Sequence, residues 1–278
     1  MKKAISILFV CLLIETSAYS QQQSFFWGND EIHFHTDTNA YQTKVFGTQN
    51  GLPSSEITSL AQDSKGYIWV GSSAGASRFD GMTFTNYLKS GSRFTGKVYC
   101  IKEDTLRKII WMAGDGGLFY FKNNKLYSVD FKEPTIAVYY VHLLKNQSIW
   151  IGTGKGPVYL DLAAIDTLLS GTKISIKSLL IPEWAIVSGG NPAYKIMNSE
   201  SGNIYFAGEG RLFSFINKKL SLIWLSNRQQ DNNDQVTGMV QSNNDTIIFA
   251  TVFSGIYYVK NNTVQQAYRN DGHVSADL

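Results

Sequence analysis

Cysteine is scarce in this sequence, and the scarcity limits how the protein can be stabilised. The 278 residues contain two cysteines, Cys11 and Cys100. Cys11 lies in a segment that we expect to be removed from the mature protein, which leaves a single thiol. One cysteine excludes an internal disulfide framework, so packing alone must stabilise the fold. Apolar residues surround Cys100, and we therefore expect a buried, unreactive thiol.

The removed segment comprises residues 1–20, which have the features of a secretory signal peptide. Lys2 and Lys3 form a basic start, an apolar run of 11 residues follows at Ala4–Ile14, and small residues flank a cleavage site before Gln21. Eleven apolar residues are too few to cross a bilayer comfortably. We therefore predict an exported protein, in the periplasm or facing it. An uncleaved anchor is the alternative.

Net charge is also low. The chain has 25 basic and 22 acidic residues, and removal of Lys2 and Lys3 lowers the formal net charge from +3 to +1. The sequence has no dense basic stripe, which argues against a nucleic-acid partner. Proline is limited to five residues, whereas 13% of the residues are aromatic. Because aromatic and β-branched residues pack well on pleated faces, this composition suits an all-β domain.

The stretch Gly51–Tyr87 sets the pattern for the rest of the chain. It contains four short apolar segments, and turn residues such as Gly66 and Asp80-Gly81 close them. Short apolar segments joined by glycine turns predict a four-stranded antiparallel meander. A sheet of this size cannot bury its own faces, so it needs copies of itself beside it.

The sequence supplies four such copies. An apolar segment that begins with isoleucine recurs at intervals of 42, 39, 55 and 43 residues, which we interpret as the structural repeat core: Trp69, Trp111, Trp150, Tyr205 and Ile248. An apolar pair three residues apart precedes each: Ile57/Leu60, Val98/Ile101, Val138/Val141, Ala193/Ile196 and Val236/Met239. A pair five residues apart follows: Phe79/Phe84, Phe121/Leu126, Leu160/Ile165, Phe215/Leu220 and Val259/Val264.

Repeats of about 40 residues with four strands each predict a β-propeller, with a solenoid as the alternative. The 55-residue interval indicates an insertion at Asp161–Pro192, where we expect a helix at Leu162–Leu169, a displaced strand at Lys173–Ile181 and a loop at Ser188–Pro192. The predicted organisation is a signal peptide at 1–20, a lead-in at 21–40 and a propeller at 41–278. Its blades are expected at about 51–87, 92–130, 135–170 with an insertion to 192, 193–225 and 234–267, with the start of another at 272–278.

Both ends of the predicted propeller are irregular. Tyr41–Phe46 resembles a fourth strand without its first three, which in a closed ring would complete the last blade. Gly272–Leu278 aligns with Gly51–Ile57, the beginning of a repeat. We therefore expect five complete blades and the start of a sixth. The simplest interpretation is a fragment of a larger ring, with seven blades as one size.

Gly51–Tyr87 closely resembles the repeat of the two-component regulator propeller family. The matching residues include Gly51, Leu52, Pro53, Ser54, Ile57, Leu60, Asp63, Gly66, Ile68, Trp69, Val70, Gly71, Gly75, Arg78, Phe79, Asp80, Gly81, Phe84 and Tyr87. Later repeats are weaker, and the last two replace the tryptophan. Members of this family are typically sensors whose propellers lie outside the cytoplasm. A β-sandwich, a membrane span and a histidine kinase usually follow, so the resemblance implies those parts beyond Leu278.

Several motifs resemble functional sites but lack residues that such sites need. Gly152–Gly156 is rich in glycine, but it lacks the residues that a phosphate-binding loop needs at either end. His33 and His35 lack an evident third metal ligand. No catalytic set of residues has informative spacing. We therefore predict neither a metal, a cofactor nor a catalytic activity for this chain.

In a propeller, the turns between second and third strands and the connections between blades lie around one opening. The polar residues expected there are our ligand-site prediction: Ser73, Arg93, Asp115, Lys155, Asn191 and Glu209. The favoured function is a sensor region that binds a small ligand, with a carbohydrate as first candidate, or forms a homodimer. A membrane association would come only through a missing C-terminal segment. The alternatives are a secreted propeller enzyme (a lyase or glycoside hydrolase) and a scaffold for protein contacts.

Overall fold

The computed structural model describes residues 44–87, 96–133, 136–226, 234–243 and 245–268, and the backbone of 26–27 and 30–31. The chain divides into two compact units after Val45. In the first unit, the short strands Phe26–Trp27 and Asp30–Glu31 pair antiparallel. The second unit, from Phe46 onward, holds five antiparallel sheets that follow one another along the chain.

Each sheet is a blade, and its strands lie side by side in chain order. Blade 1 consists of Ile57–Gln62, Ile68–Ser72, Gly75–Phe79 and Phe84–Asn86. Blade 2 consists of Val98–Asp104, Ile109–Gly114, Gly117–Lys122 and Lys125–Val129. Blade 3 consists of Val138–Leu143, Ile149–Thr153 and Gly156–Leu160. Blade 4 consists of Lys195–Asn198, Ile204–Gly208, Arg211–Ile216 and Lys219–Leu225. Blade 5 consists of Val236–Gln241, Ile247–Thr251, Ile256–Lys260 and Thr263–Tyr268.

The outer hairpins confirm the pairs that were predicted five residues apart, except in blade 3. Phe79 lies opposite Phe84, and the corresponding pairs in blades 2, 4 and 5 are also direct partners. In blades 2 and 5 the turn is a pair of asparagines with positive φ, such as Asn123 and Asn124 at 51° and 59°. Two-residue turns of this kind match the right-handed twist of the strands that they join.

The first strand of each blade is the innermost one. The first strands of blades 1 and 2, 2 and 3, 3 and 4, and 4 and 5 adjoin one another. Four apolar clusters fill the spaces between successive blades. Trp69 of blade 1, for example, packs with Ile101 and Phe121 of blade 2. This radial arrangement confirms the predicted all-β propeller. The position of the candidate site, at one end of the blades, follows from this arrangement.

A small residue in the second strand allows the next blade to approach. A Cβ atom at Gly71 would lie 3.1 Å from the backbone oxygen of Val98 in blade 2. At Gly152, a Cβ atom would overlap the backbone oxygen of Ala193 in blade 4. The same position holds alanine in the other three blades. The glycine that follows the Ile-Trp motif therefore reflects close packing between sheets.

Blade 3 differs from the prediction because it has three strands. Asp161 caps a helix at Leu162–Leu169 directly after the third strand, and its Oδ1 accepts a hydrogen bond of 2.8 Å from the Ala164 amide. The helix was predicted, and it buries Ile165 and Leu168. Because the chain turns into this helix, no hairpin forms and the pair Leu160/Ile165 is not a strand pair.

The strand predicted at Lys173–Ile181 is wrong. This segment forms a 3₁₀ helix at Ile176–Leu179, flanked by single bridges at Ile174 and Leu180. A second short helix, Trp184–Ser188, precedes the predicted loop. Apolar side chains from these turns cover the face of the third strand, so burial is achieved without a fourth strand.

The predicted ends of the propeller are only partly described. Residues 44–47 form no strand, and a 3₁₀ helix follows at Thr48–Asn50. The Phe46 ring packs edge-on against Phe79 and Phe84, at centroid distances of 5.0 and 5.6 Å. The signal peptide, most of the lead-in and the start of another blade at 272–278 lie outside the described residues. Among those described, no helix is long and apolar enough to cross a membrane.

Candidate functional site

The turns between second and third strands lie at the same end of the blades as the beginnings of the first strands. In blade 1, the Ser73 amide donates a hydrogen bond of 3.0 Å to the Glu56 carbonyl. In blade 2, the Asp115 amide donates to the Lys97 carbonyl at 3.1 Å. Blade 3 repeats the arrangement through Gly154. Side chains from both parts of a blade therefore meet at one rim.

Three tyrosines from successive blades form a ladder at this rim. Tyr99, Tyr139 and Tyr194 occupy the same repeat position in blades 2, 3 and 4. The rings of Tyr99 and Tyr139 meet edge to face at 5.1 Å, and those of Tyr139 and Tyr194 do so at 4.8 Å. Edge-to-face contact is a favoured geometry for aromatic pairs. The three tyrosines are half-buried, so part of each side chain remains exposed to solvent.

A β-bulge presents the first two of these rings. The strand register shifts between Val98 and Cys100 in blade 2, which leaves Tyr99 without a direct partner. The same shift in blade 3 leaves out Tyr139. A bulge places an extra residue in one strand and redirects its side chain. The tyrosines therefore turn to the rim rather than continuing the alternation of the strand.

Two carboxylates hold the ends of the ladder. The Tyr99 hydroxyl donates a hydrogen bond of 2.7 Å to Asp115 Oδ1, and the Tyr194 hydroxyl donates one of 2.9 Å to Glu209 Oε1. Burial, together with these carboxylates, raises the pKa of Tyr99 and Tyr194. Burial also raises the pKa of Tyr139, and the charges of both Asp115 and Glu209 add to the effect. Both carboxylates thus act on the central ring.

Ser73 is linked to Asp115 through a short chain of polar contacts. Its Oγ lies 2.8 Å from Ser54 Oγ. Glu56, whose carbonyl binds the Ser73 amide, forms an ion pair of 2.7 Å with Lys97 Nζ. The Lys97 amide donates to Asp115 Oδ2 at 3.1 Å. Three of the predicted site residues, Ser73, Asp115 and Glu209, are therefore connected through neighbours at the rim.

The other predicted residues are less directly involved. Lys155 is exposed in the blade 3 turn, where its amide donates to Thr153 Oγ1 at 3.1 Å. Asn191 lies in the insertion, and its carbonyl accepts a hydrogen bond of 2.8 Å from Trp184 Nε1. The buried Asn191 Nδ2 has no hydrogen-bond partner. Arg93 lies outside the described residues, so its part of the prediction stays open.

Sequence reasoning missed the tyrosines and Lys97. It selected polar residues in turns, whereas the ladder comes from the strands that face those turns. A signal was available, because Tyr99 and Tyr139 each follow a valine at the start of a first strand, and Tyr194 follows Ala193. A tyrosine recurs at this repeat position in three blades, whereas the polar residues in the turns vary from blade to blade.

The rim is suited to binding. Aromatic faces and edges pack against apolar surface, and carboxylate oxygens accept hydrogen bonds from hydroxyl groups. The raised pKa of Tyr99 and Tyr194 keeps these phenols protonated at neutral pH, so they are hydrogen-bond donors and poor bases. Among the described residues, no group of three or more His, Cys, Asp or Glu side chains could hold a metal ion.

At the opposite end of the blades, polar side chains link neighbouring sheets through hydrogen bonds. Arg107 forms an ion pair of 2.7 Å with Asp104 and donates a hydrogen bond of 2.8 Å to the Gln147 carbonyl of blade 3. Ser64 of blade 1 donates from its amide and hydroxyl to Glu103 of blade 2, at 2.8 and 2.7 Å. These side chains join neighbouring blades around a shallow cavity that Glu103, Asp104, Arg107 and Gln147 line.

Comparison with known proteins identifies the repeat. Residues 51–74 match the family model described as two component regulator propeller. The chain therefore carries a repeat of this family, as its resemblance over Gly51–Tyr87 indicated. No curated protein matches the sequence.

Solved structures share the fold. The extracellular domain of a hybrid two component system from B. thetaiotaomicron has a TM-score of 0.60 and 19% identity, over 84% of this chain and 31% of that one. That of a one component system from the same organism has a TM-score of 0.50 and 17% identity, over 80% and 35%. Virginiamycin B lyase from Staphylococcus aureus has a TM-score of 0.52 and 13% identity, over 78% and 71%. This chain spans about a third of the length of the first two.

Proposed function

We propose that this propeller is the extracytoplasmic, ligand-sensing region of a two-component signalling regulator and is not itself catalytic. The match of residues 51–74 to the two-component regulator propeller carries the proposal. The shared fold with two extracellular domains of signalling systems supports it. The signal-peptide features of residues 1–20 fit an exported protein that lies in the periplasm or faces it.

The tyrosine ladder is the proposed ligand site. A small carbohydrate fits its chemistry, because sugar rings have apolar faces that pack on aromatic rings and hydroxyl groups that donate to carboxylates. Asp115 and Glu209 each retain acceptor capacity beyond the bond from a tyrosine. A ligand that touches Tyr99, Tyr139 and Tyr194 contacts three blades at once. Binding would favour one arrangement of these blades, which is how a signal would pass to an output module. Formation of a homodimer is the second means of signalling that we propose.

A secreted lyase or glycoside hydrolase is the second candidate function. The fold shared with virginiamycin B lyase and the two carboxylates at the rim favour it. An elimination or hydrolysis needs a group that accepts a proton at neutral pH. The tyrosine pKa values are raised, so a phenolate base is disfavoured. Release of shortened products from an oligosaccharide by the purified protein would establish the enzyme and contradict the non-catalytic proposal.

Substitution of the central tyrosine tests the ligand site. We expect one of the neutral trisaccharides cellotriose, xylotriose or maltotriose to bind in calorimetry. Tyr139→Ala should weaken that binding about tenfold or more, because aromatic residues at the centre of a site contribute most of its affinity. Tyr127→Ala is the control, since this exposed ring lies on the outer strand of blade 2. Equal loss in both variants, or no binding by any of the three sugars, would contradict a neutral-sugar site at the rim.

The sensory role has a separate test. The gene is sequenced beyond the codon for Leu278 and the intact mass of the native product is measured. A membrane span and a histidine kinase in the same product are the expected result. A native product without any output module would overturn the sensory role, whatever the rim binds.

A further inference from the structure

Basic side chains gather on the inner strands of three successive blades. Lys102 comes from blade 2, His142 from blade 3 and Lys195 from blade 4. Tyr140 of blade 3 lies between them. The Nζ atom of Lys195 is 5.3 Å from the Tyr140 ring centroid, and that of Lys102 is 6.0 Å from the same centroid. Two ammonium groups from different blades therefore share one aromatic ring.

No carboxylate compensates these charges in the part of the chain that the structure describes. The ion pairs there are Lys97 with Glu56 and Arg107 with Asp104, and neither involves the inner lysines. Glu103 follows Lys102 in the strand, but its oxygens accept from the Ser64 amide and hydroxyl.

The remaining titratable neighbours are neutral. Burial raises the pKa of the Cys100 thiol, which donates to the Val141 carbonyl at 3.9 Å, and it raises the pKa of Tyr140. Burial lowers the pKa of His142 and outweighs the hydrogen bond of 2.7 Å to Asn198, which acts to raise this pKa. The nearby charge of Lys102 lowers the pKa of His142 further. Neither the thiol, the phenol nor the imidazole therefore supplies a negative charge.

The lysines also disfavour each other. Burial is the main cause that lowers the pKa of Lys195, and the positive charge of Lys102 adds to it. Lys195 is partly buried, and a charge that is removed from water is normally paired because its desolvation is costly. A single aromatic ring offers one cation only a modest attraction, and here two cations share it. The cluster therefore lacks the negative group that would balance it.

We propose that Lys102 and Lys195 bind an oxyanion of a small ligand, a carboxylate, sulfate or phosphate, on the inner surface beside Tyr140. Lysine binds such groups as a point charge with three donors, and a charge-assisted hydrogen bond is stronger than a neutral one. Asn198 and His142 provide polar groups beside the two lysines. This site is distinct from the tyrosine ladder, and its existence does not depend on the sensory role.

Substitution of each lysine tests the site. The full chain is titrated with glucuronate, sulfate and phosphate, and chloride keeps the ionic strength constant. At least one oxyanion should raise the melting temperature saturably and bind in calorimetry. Lys195→Met and Lys102→Met should each weaken that binding about tenfold or more, since a charge-assisted contact is lost. Lys125→Met is the matched control, because this exposed lysine lies on the outer strand of blade 2.

The three anions distinguish the kinds of ligand. Preference for glucuronate indicates that the natural ligand is an acidic sugar or another carboxylate. Preference for sulfate indicates a sulfate ester, and preference for phosphate indicates a phosphate ester. The proposal is overturned if all three oxyanions behave like chloride, or if binding survives in both lysine variants. Lys102 is exposed, so its variant should fold even if Lys195→Met does not. Binding of neutral trisaccharides and its loss in Tyr139→Ala report on the rim alone, so the two proposals fail separately.

Discussion

Glu133 shows how one side chain can hold a segment that sequence patterns misplace. Its carboxylate accepts hydrogen bonds from the Ser175 hydroxyl, from the Ile176 amide at 2.7 Å and from the Lys177 amide at 3.3 Å. The Ser175 hydroxyl is the main cause that lowers the pKa of Glu133 to about 2, and the two amides lower it further. These amides are the free donors at the start of a helical turn, where a carboxylate is favourable.

Loss of this carboxylate should loosen the insertion. In Glu133→Gln we expect hydrogen exchange at the Ile176 and Lys177 amides to accelerate about tenfold or more, because a charged acceptor is replaced by a neutral one. Glu183→Gln is the control, since this exposed side chain makes no capping bond to its helix. Unchanged exchange in the first variant, or equal acceleration in both, would show that the insertion does not depend on Glu133.

The same contact predicts a dependence on pH. The pKa of Glu133 is about 2 in the fold and ordinarily about 4.5. Because the fold lowers the pKa of Glu133, the contact stabilises the insertion fully at pH values above the ordinary pKa. This stabilisation is lost as the pH falls towards 2. Protection of the two amides should therefore decrease between about pH 4 and pH 2 in the native protein, while the Gln variant should show little change over that range.

At the scale of strands, the small residue of the second strand limits how far apart two sheets lie. A Cβ atom at Gly152 would overlap the backbone oxygen of Ala193. The Ala193 amide donates a hydrogen bond of 3.1 Å to the Thr153 carbonyl. A side chain at Gly152 would push the first strand of blade 4 away from this bond. Gly238 also lies in a strand, but a Cβ atom there would have no heavy atom within 4 Å.

Alanine at these two glycines should have different effects. Gly152→Ala should lower the free energy of unfolding by about 1–3 kcal/mol, because overpacking forces the backbone to shift. Gly238→Ala should be neutral or raise it by up to about 1 kcal/mol, since alanine restricts the unfolded chain. Urea unfolding of both variants provides the measurement. A neutral Gly152→Ala would mean that the two sheets can separate at no cost.

The strands also show which features could be predicted. Trp69 and its counterparts recur at intervals of about 40 residues, apart from the one that contains the insertion, so the repeat and most of its pairs follow from the sequence. The recurring tyrosine is visible in the sequence, but its position at the rim is not, because a bulge at Tyr99 and Tyr139 breaks the alternation on which face assignments rely. The 3₁₀ helix at Ile176–Leu179 was predicted as a strand, since its apolar residues suit either structure. Its acceptor, Glu133, is more than 40 residues earlier and leaves no local signal.

At the scale of the molecule, each blade faces its neighbours through two different residues. The tryptophan position points to the following blade, and Ile101 of blade 2 points back to Trp69 of blade 1. Val141 and Ile196 have the same position as Ile101 and are fully buried, whereas Leu60 of blade 1 is 40% exposed. Ile248, at the tryptophan position of blade 5, is also partly exposed. Stability in such arrays comes mainly from contacts between neighbours.

Truncation at one repeat position should therefore depend on the blade. Ile101→Ala should lower the free energy of unfolding by about 2–5 kcal/mol, as expected for a fully packed aliphatic residue. Leu60→Ala should cost less than about 1 kcal/mol, because surface changes are usually small. Both are measured by urea unfolding with a check that the m-value is unchanged. A large cost at Leu60 would reveal a neighbour that covers it in solution.

The contacts between blades have a consequence for how such a protein grows by duplication. If one sheet were copied by itself, its tryptophan would lack the aliphatic residue of the next sheet that packs against it. Its small second-strand residue would also lack the neighbouring backbone that it allows to approach. The self-consistent module begins at the second strand of one sheet and ends with the first strand of the next. Inheritance in this staggered frame would preserve the contact between the tryptophan position and the first strand of the next blade, even where the outer strand is replaced, as in blade 3.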